Sequence, residues 1–437
     1  MSAILILYHS QEHYNTHAMA EAVAEGAQAA GATVTLVNTN KQRLDIEAYR
    51  AFDEGMEHYL RTDYPEARPY FYQAFELDTT FATPLIYAIL TNFNLANNYG
   101  QREAWPEADS LVEILDRFRG RLSEYDQGWL DYLRARMAGD NPKALQAIRR
   151  AAELAPGSRA LYNQAFVALA VNRPREAVDA LLSLDPERGP MRGWEPYYGY
   201  LYSAFAALGE DEKAGEVGQE CREKYPDGRW SLWYQGAGLA TAGRIEEVNA
   251  VVNDLVALPV QGLGPGIWMT SISATLRRQG YFDAARSTMD RAIEWYEARP
   301  PEAKSSAAWR ARYSAALYVA DRWDEAYNVR NLLVAEFPDD INYRGLLGVL
   351  AACRGDRQEA LEVSNWLATV DLPYSFGGPT MWRASIAGAL GEGEDAVAFF
   401  RQATAEGLRY YSLSDVVRIT FEPIRDYEPW QELMRPK

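Results

Sequence analysis

The chain has 437 residues, 48% hydrophobic and 24% charged, the balance of a folded protein but too long for one ordinary core. A formal charge of −17 and a pI near 4.9 argue against nucleic acid and anionic membranes as partners, because both need clustered Lys and Arg. No run approaches the ~18–20 apolar residues of a membrane span. The opening MSAILILYHSQEH lacks the basic start and long apolar stretch of a secretory signal. Cys221 and Cys353 read as small buried hydrophobes in a reducing compartment, so a cytoplasmic protein is expected.

Residues 1–45 form the first segment. Ile4–Tyr8 is a short apolar run, residues 16–30 are rich in helix formers, Gly31 ends that stretch, and Thr33–Val37 is a second β-branched run. A small βαβ segment is predicted, with the loop after its first strand facing a helix N-terminus that can receive an anion. The order of strand, Ser10–Thr16 loop and Ala-rich helix resembles the start of the flavodoxin family, whose loop wraps the FMN phosphate. The resemblance places Ser10, Asn15 and Thr16 at the phosphate-binding positions, with Tyr14 where a glycine is expected. A flavodoxin needs about five parallel strands, and here the similarity fades within residues 40–52. The segment therefore reads as a truncated remnant, and no cofactor is expected. His9, His13 and His17 stand four apart, but only His17 would be helical, so no metal site is expected either.

From about residue 46 to residue 408 one pattern repeats. Ala67, Ala108, Ala144, Ala177, Ala214, Val248, Ala285, Ala326, Ala360 and Ala396 follow one another at spacings of 41, 36, 33, 37, 34, 37, 41, 34 and 36 residues. Such a period marks stacked helix pairs, none of which buries its apolar face alone. A small residue lets the second helix of a pair approach the first. Gly or Asp at the preceding turn is expected to stop the first helix and cap the second. Closing prolines at 156, 226 and 338 end units.

These features resemble the tetratricopeptide repeat family: a glycine in the first helix (Gly55, Gly236, Gly348), the alanine opening the second, a bulky residue four later, and the closing proline. Val248 departs from the alanine, and Gly218 from the bulky position. The resemblance implies a mainly α, right-handed solenoid of about ten helix pairs. The end, Phe421–Met434, is similar to the ending of bacterial repeat proteins whose array follows a serine/threonine kinase or transcriptional regulator. Neither kinase motifs nor a basic DNA-reading helix is present here. Residues 409–437 are expected to cap the last pair.

In that family the first helices line a concave groove. Counting back from each aligned alanine carries the groove positions onto Trp129, Arg136, Arg159, Tyr162, Phe166, Trp230, Trp233, Arg277 and Tyr318. Trp, Tyr and Arg dominate interface energies. The alternative use of the same aromatics is packing between helices. The expected function is a non-catalytic scaffold, adaptor or sensor that binds a peptide or protein with acidic and apolar side chains. The competing reading is an FMN-dependent electron-transfer module with a repeat tail.

Overall fold

The computed structural model describes residues 3–8, 23–29, 33–38, 46–228, 230–258, 264–410 and 414–437. Strand β1 (Ala3–Tyr8), helix α1 (23–29) and strand β2 (Thr33–Asn38) come first. Helix pairs follow: α2 (Ile46–Leu60) and α3 (Tyr64–Leu77), α4 (Thr83–Asn98) and α5 (Ala104–Arg117), α6 (Glu124–Met137) and α7 (Asn141–Leu154), α8 (Arg159–Ala170) and α9 (Pro174–Leu182). Next come α10 (Pro196–Leu208) and α11 (Asp211–Lys224), α12 (Ser231–Thr241) and α13 (Ile245–Ala257), α14 (Gly264–Arg278) and α15 (Phe282–Glu297). After the short α16 (Pro301–Ser305) stand α17 (Ala307–Val319) and α18 (Trp323–Glu336), α19 (Ile341–Cys353) and α20 (Arg357–Ala368), α21 (Gly378–Ala389) and α22 (Gly393–Ala405). The chain ends with α23 (Asp415–Arg418), a 3₁₀ helix (Ile419–Ile424) and α24 (Glu428–Met434).

The fold class expected from the sequence is corrected at its N-terminal end. β1 and β2 pair in parallel, Ala3 opposite Thr33 through Tyr8 opposite Asn38, but no third strand joins them among the described residues. Everything described from residue 46 onward is helix and turn. Two strands make no sheet layer and supply none of the later strand-end loops that clamp a flavin ring. The architecture is therefore an all-helical array of pairs, and a βαβ domain is not part of it. Ser10, Asn15, Thr16 and the histidines at 9, 13 and 17 lie outside the described residues.

The aligned small residues behave as the repeat requires. All ten are buried, and nine of the ten are the fourth residue of their helix; Ala108 is the fifth. The turn glycines act on the helix before them. Gly139, Gly209, Gly243, Gly280, Gly355 and Gly391 take φ between +71° and +85°, each five residues before its aligned partner. Thr62, Asn172 and Asp321 fill the same place with φ of 57–59°. The next residue donates its N–H to the carbonyl five residues back, as in Arg244 N–H to Leu239 O at 2.9 Å and Tyr281 N–H to Leu276 O at 2.9 Å, which closes a Schellman motif on the first helix. Capping of the second helix from the turn is narrower than expected. Among the turn residues just before a second helix, a capping bond is described only for Asp356, which accepts from Glu359 N–H. The two 41-residue spacings have separate causes: a longer turn between α4 and α5, and the insertion of α16.

These turns predict a clean measurement. A Cβ at Gly355 would meet nothing within 4 Å, so Gly355→Ala is penalised only by the left-handed backbone, by about 1 kcal/mol. Chemical denaturation should show that loss with an unchanged m-value; a loss near zero would mean the turn is not held at this φ.

The array divides into two compact units: residues 1–137, 143–164 and 182–194, and residues 138–142, 165–181 and 195–437. In the first, α2, α3, α4, α5 and α6 pack in succession. Arg159 is buried there, its guanidinium 4.1 Å from the Trp194 ring and 5.1 Å from Tyr59, and its Nη1 donates to Pro190 O. In the second, first helices neighbour first helices: α10 packs on α12, α12 on α14, α14 on α17, and α19 on α21. Glycines set that spacing. A Cβ at Gly236 would stand 2.4 Å from Ile272 Cδ1 of the following first helix, and one at Gly348 would stand 2.6 Å from Ile386 Cδ1.

The C-terminal stretch continues this logic. A Cβ at Gly388 would stand 2.6 Å from Phe421, so the 3₁₀ helix occupies the place of the next first helix. Phe421 stacks on Trp430 at 4.2 Å, and Trp430 meets Phe400 edge-on at 5.5 Å. The second unit also closes on itself. Asn141 Nδ2 donates to Gly407 O and Leu408 O, Asn172 Nδ2 donates to Arg435 O, and Lys437 N–H donates to Asn172 O at 2.9 Å.

Candidate interaction site

The first-helix wall of the second unit carries the most concentrated chemistry. Arg277 and Arg278 occupy the last turn of α14, where cations meet the negative end of the helix dipole. Arg277 forks onto Glu422 through Nε and Nη2 at 2.8 and 2.7 Å. Its Nη1 donates to Val319 O and to both carboxylate oxygens of Asp321 at 3.0–3.1 Å. Burial opposes its charge, yet the bonds from Glu422 and Asp321 outweigh that and hold its pKa above the ordinary arginine range. Arg278 Nε meets Asp415 Oδ1 at 2.8 Å, and Thr275 Oγ donates to Asp415 Oδ2 at 2.7 Å. The Arg418 guanidinium stands 4.0 Å from that same carboxylate.

Residues 414–424 thus lie across α14 and reach α21, with a cavity on either side. One, of about 580 Å³, is lined by Ser273, Arg277, Arg286, Met289, Asp321 and Glu422 among others. The other, of about 420 Å³, is lined by Tyr202, Ser203, Trp233, Ser271, Thr275 and Tyr410 among others. Asp415, Arg278 and Arg418 line both. The wall presents hydroxyls, an indole and guanidinium groups side by side, which suits hydrogen bonding to carboxylates combined with apolar contact.

The residues carried over from the sequence divide sharply. Trp233 is half-buried in the smaller cavity, its Nε1 donating to Ser271 Oγ at 3.2 Å, and Arg277 sits at the carboxylate cluster. Trp230 is half-buried beside them, 6.3 Å from the Trp233 ring and 6.4 Å from Trp268, its backbone N–H donating to Glu195 Oε1. The remaining six are placed in helix packing. Trp129, Arg159, Tyr162, Phe166 and Tyr318 are buried in helix packing. Trp129 meets Tyr132 edge-on, Phe166 packs on Tyr200, and Arg159 lies among Tyr59, Tyr162 and Trp194. Arg136 is half-buried over Phe93 at 4.6 Å with Nη1 on Tyr132 Oη. The cause is geometric: successive helix positions differ by about 100°, so a one-residue offset exchanges groove for core. Sequence reasoning missed Arg278, Thr275, Ser271 and the acidic partners Asp415 and Glu422.

Tyr202 gives this region a pH signature. Burial and the nearby Asp415 push its phenol up to about 12 from an ordinary 10.0. Burial and Asp321 likewise push the Cys353 thiol up to about 11 from an ordinary 9.0. Both groups are neutral in the folded chain at pH values where the unfolded chain has lost its proton. Their stabilisation is complete below about pH 9 and declines as pH rises through 11 and 12. Thermal melts should therefore fall steadily from pH 9 upward, with a further rise in tyrosinate absorbance at pH 11 when the chain unfolds. A flat melting profile across this range contradicts the assignment.

No family model matches the sequence, and no curated protein does. Among solved structures the chain is similar to a tetratricopeptide repeat protein from Parabacteroides merdae, at 16% identity and a TM-score of 0.35, over 68% of this chain and 99% of that one. It is also similar to the P58(IPK) TPR domain, at 12% identity and a TM-score of 0.25, over 84% and 91%. A third is the APC/C hetero-tetramer Cut9–Hcn1, at 13% identity and a TM-score of 0.30, over 96% and 88%.

Proposed function

We propose that this chain is a non-catalytic scaffold, an adaptor or sensor surface that holds a peptide or protein partner on the first-helix wall of its second unit. The observation that carries this reading is the wall itself. Trp233, Ser271, Thr275, Arg277 and Arg278 project from α12 and α14 beside two cavities, in a chain whose charge of −17 is opposite to that of the two arginines. Cations retained there against the prevailing charge suit a ligand with carboxylates, and the indole suits its apolar side chains. Nucleic acid and membrane surfaces are poor partners for the same net charge, and no helix among the described residues is long and apolar enough to cross a membrane. A cytoplasmic protein without a bound flavin is the matching expectation; the purified chain should show no absorbance band near about 450 nm.

The test is affinity capture by the full chain with identification by mass spectrometry, repeated with Trp233→Ala. The expected result is a defined partner retained by the wild type and lost, or weakened at least about tenfold, in the variant, with the same circular dichroism and melting temperature. Retention of the partner by Trp233→Ala would move the binding surface elsewhere.

A further inference from the structure

We propose that residues 414–424 are a built-in ligand of the first-helix wall, and that the partner is a segment of the same chemistry: two carboxylates about two helical turns apart with β-branched and aromatic residues between them. This deepens the scaffold reading and rests on it. Three observations carry it. Asp415 and Glu422, seven positions apart, are each held by a guanidinium of α14, Glu422 in a two-point fork and Asp415 by Arg278 with Thr275 as a second donor. Between them Ile419 and Phe421 are buried, so the segment combines acidic anchors with an apolar body. Finally, the two parts of the segment are unequally fixed. The 3₁₀ helix buries Ile419, Phe421 and Ile424, whereas α23 is four residues long and buries none. With no fully buried residue of its own, α23 rests on the wall through Asp415 and the half-buried Val416 and Val417, and so removes less apolar surface from water than the 3₁₀ helix does. The half at Asp415 is therefore the end that yields first, opening both cavities it borders.

A partner carrying the same pattern exchanges with the segment by offering the arginines equivalent carboxylates. The resident segment holds an effective concentration that only a locally raised or better-matched competitor overcomes, which makes binding conditional rather than constitutive.

The experiment uses the full chain and a fluorescein-labelled peptide of residues 414–424. Wild type should bind it weakly, because the site is filled in cis. Asp415→Asn with Glu422→Gln weakens the resident segment while leaving the wall intact, and should bind the peptide at least about tenfold more tightly. Adding Arg277→Ala should return binding to background. If the double variant melts cooperatively and binds no better than wild type, the segment is a permanent cap and the proposal fails. Should the double variant not fold, hydrogen exchange on wild type decides: excess peptide should speed exchange of the amides of 414–424 at least about threefold, and unchanged exchange overturns the proposal. A partner captured through Trp233 by a chain that fails this exchange removes the tail as template and leaves the scaffold reading in place.

Discussion

Gly218→Ala should lower the stability of the second unit by about 3 kcal/mol. The reason lies between α11 and α12. A Cβ at Gly218 would stand 2.5 Å from the carbonyl oxygen of Tyr234 and 3.1 Å from its carbon. Opposite it, a Cβ at Gly238 would stand 2.7 Å from the carbonyl oxygen of Ala214. The two helices meet backbone to backbone, and no flexible side chain is available to move aside. Accommodation therefore requires the helices to part, which disturbs the wall that Trp233 of α12 helps to form. Gly218→Ala should melt well below wild type, whereas Ala250→Gly on the exposed side of α13, which affects helix propensity alone, should cost only about 1 kcal/mol. Equal effects of the two would mean that α11 and α12 are not this close.

The same position shows where the sequence was readable and where it was not. Gly218 stands where the repeat calls for a bulky residue, and it looked like a departure from the pattern. In the structure it marks a crossing where α11 and α12 meet backbone to backbone. Nothing local to residue 218 announces this, because the cause lies on a different helix. Arg330 and Ser364 break the bulky position in the same way and are also buried, Arg330 with its Nη2 on Ala311 O. By contrast, the aligned alanines and turn glycines were legible. Each records a constraint within a few residues of itself: a small contact, or a left-handed backbone ending a helix. The period followed from them, and with it the pairing of helices.

The binding wall was legible only in part, for two physical reasons. Face assignment demands single-residue accuracy, and the aromatic residues meant for the groove are equally suited to the core, where Trp129, Tyr162, Phe166 and Tyr318 lie. The second reason is distance along the chain. Arg277 was identified from its place in the repeat, but its partner Glu422 is 145 residues away. No periodicity predicts that the closing segment turns back to α14. Phe421 fills the notch at Gly388, and the segment's return to the two arginines is something the pattern did not contain.

Gly407→Ala should open the closure of the second unit. Gly407 has φ of +106°, and a Cβ there would lie 2.8 Å from Gly139 Cα and 3.1 Å from Gly139 O. Gly139 is the turn residue before α7, at φ +72°, and a Cβ on it would stand 3.0 Å from Glu406 O. Two glycines thus let backbone rest on backbone, and Asn141 Nδ2 seals the contact by donating to Gly407 O at 3.1 Å. An added methyl meets both a left-handed backbone and a carbonyl it cannot displace, so about 3 kcal/mol of local stability should be lost. The loss need not unfold the pairs, because each helix still packs on its immediate neighbours. Small-angle scattering should therefore show a larger radius of gyration with unchanged helicity, and hydrogen exchange should accelerate at residues 138–142 and 406–408 first. A variant that keeps wild-type dimensions and protection would show that this contact is incidental. A variant that opens, and then binds the 414–424 peptide more tightly than wild type, would show that closure and occupation of the wall act together: the Gly139–Gly407 contact fixes the last pair, the last pair fixes the 3₁₀ helix through Gly388, and the 3₁₀ helix fixes Glu422 on Arg277.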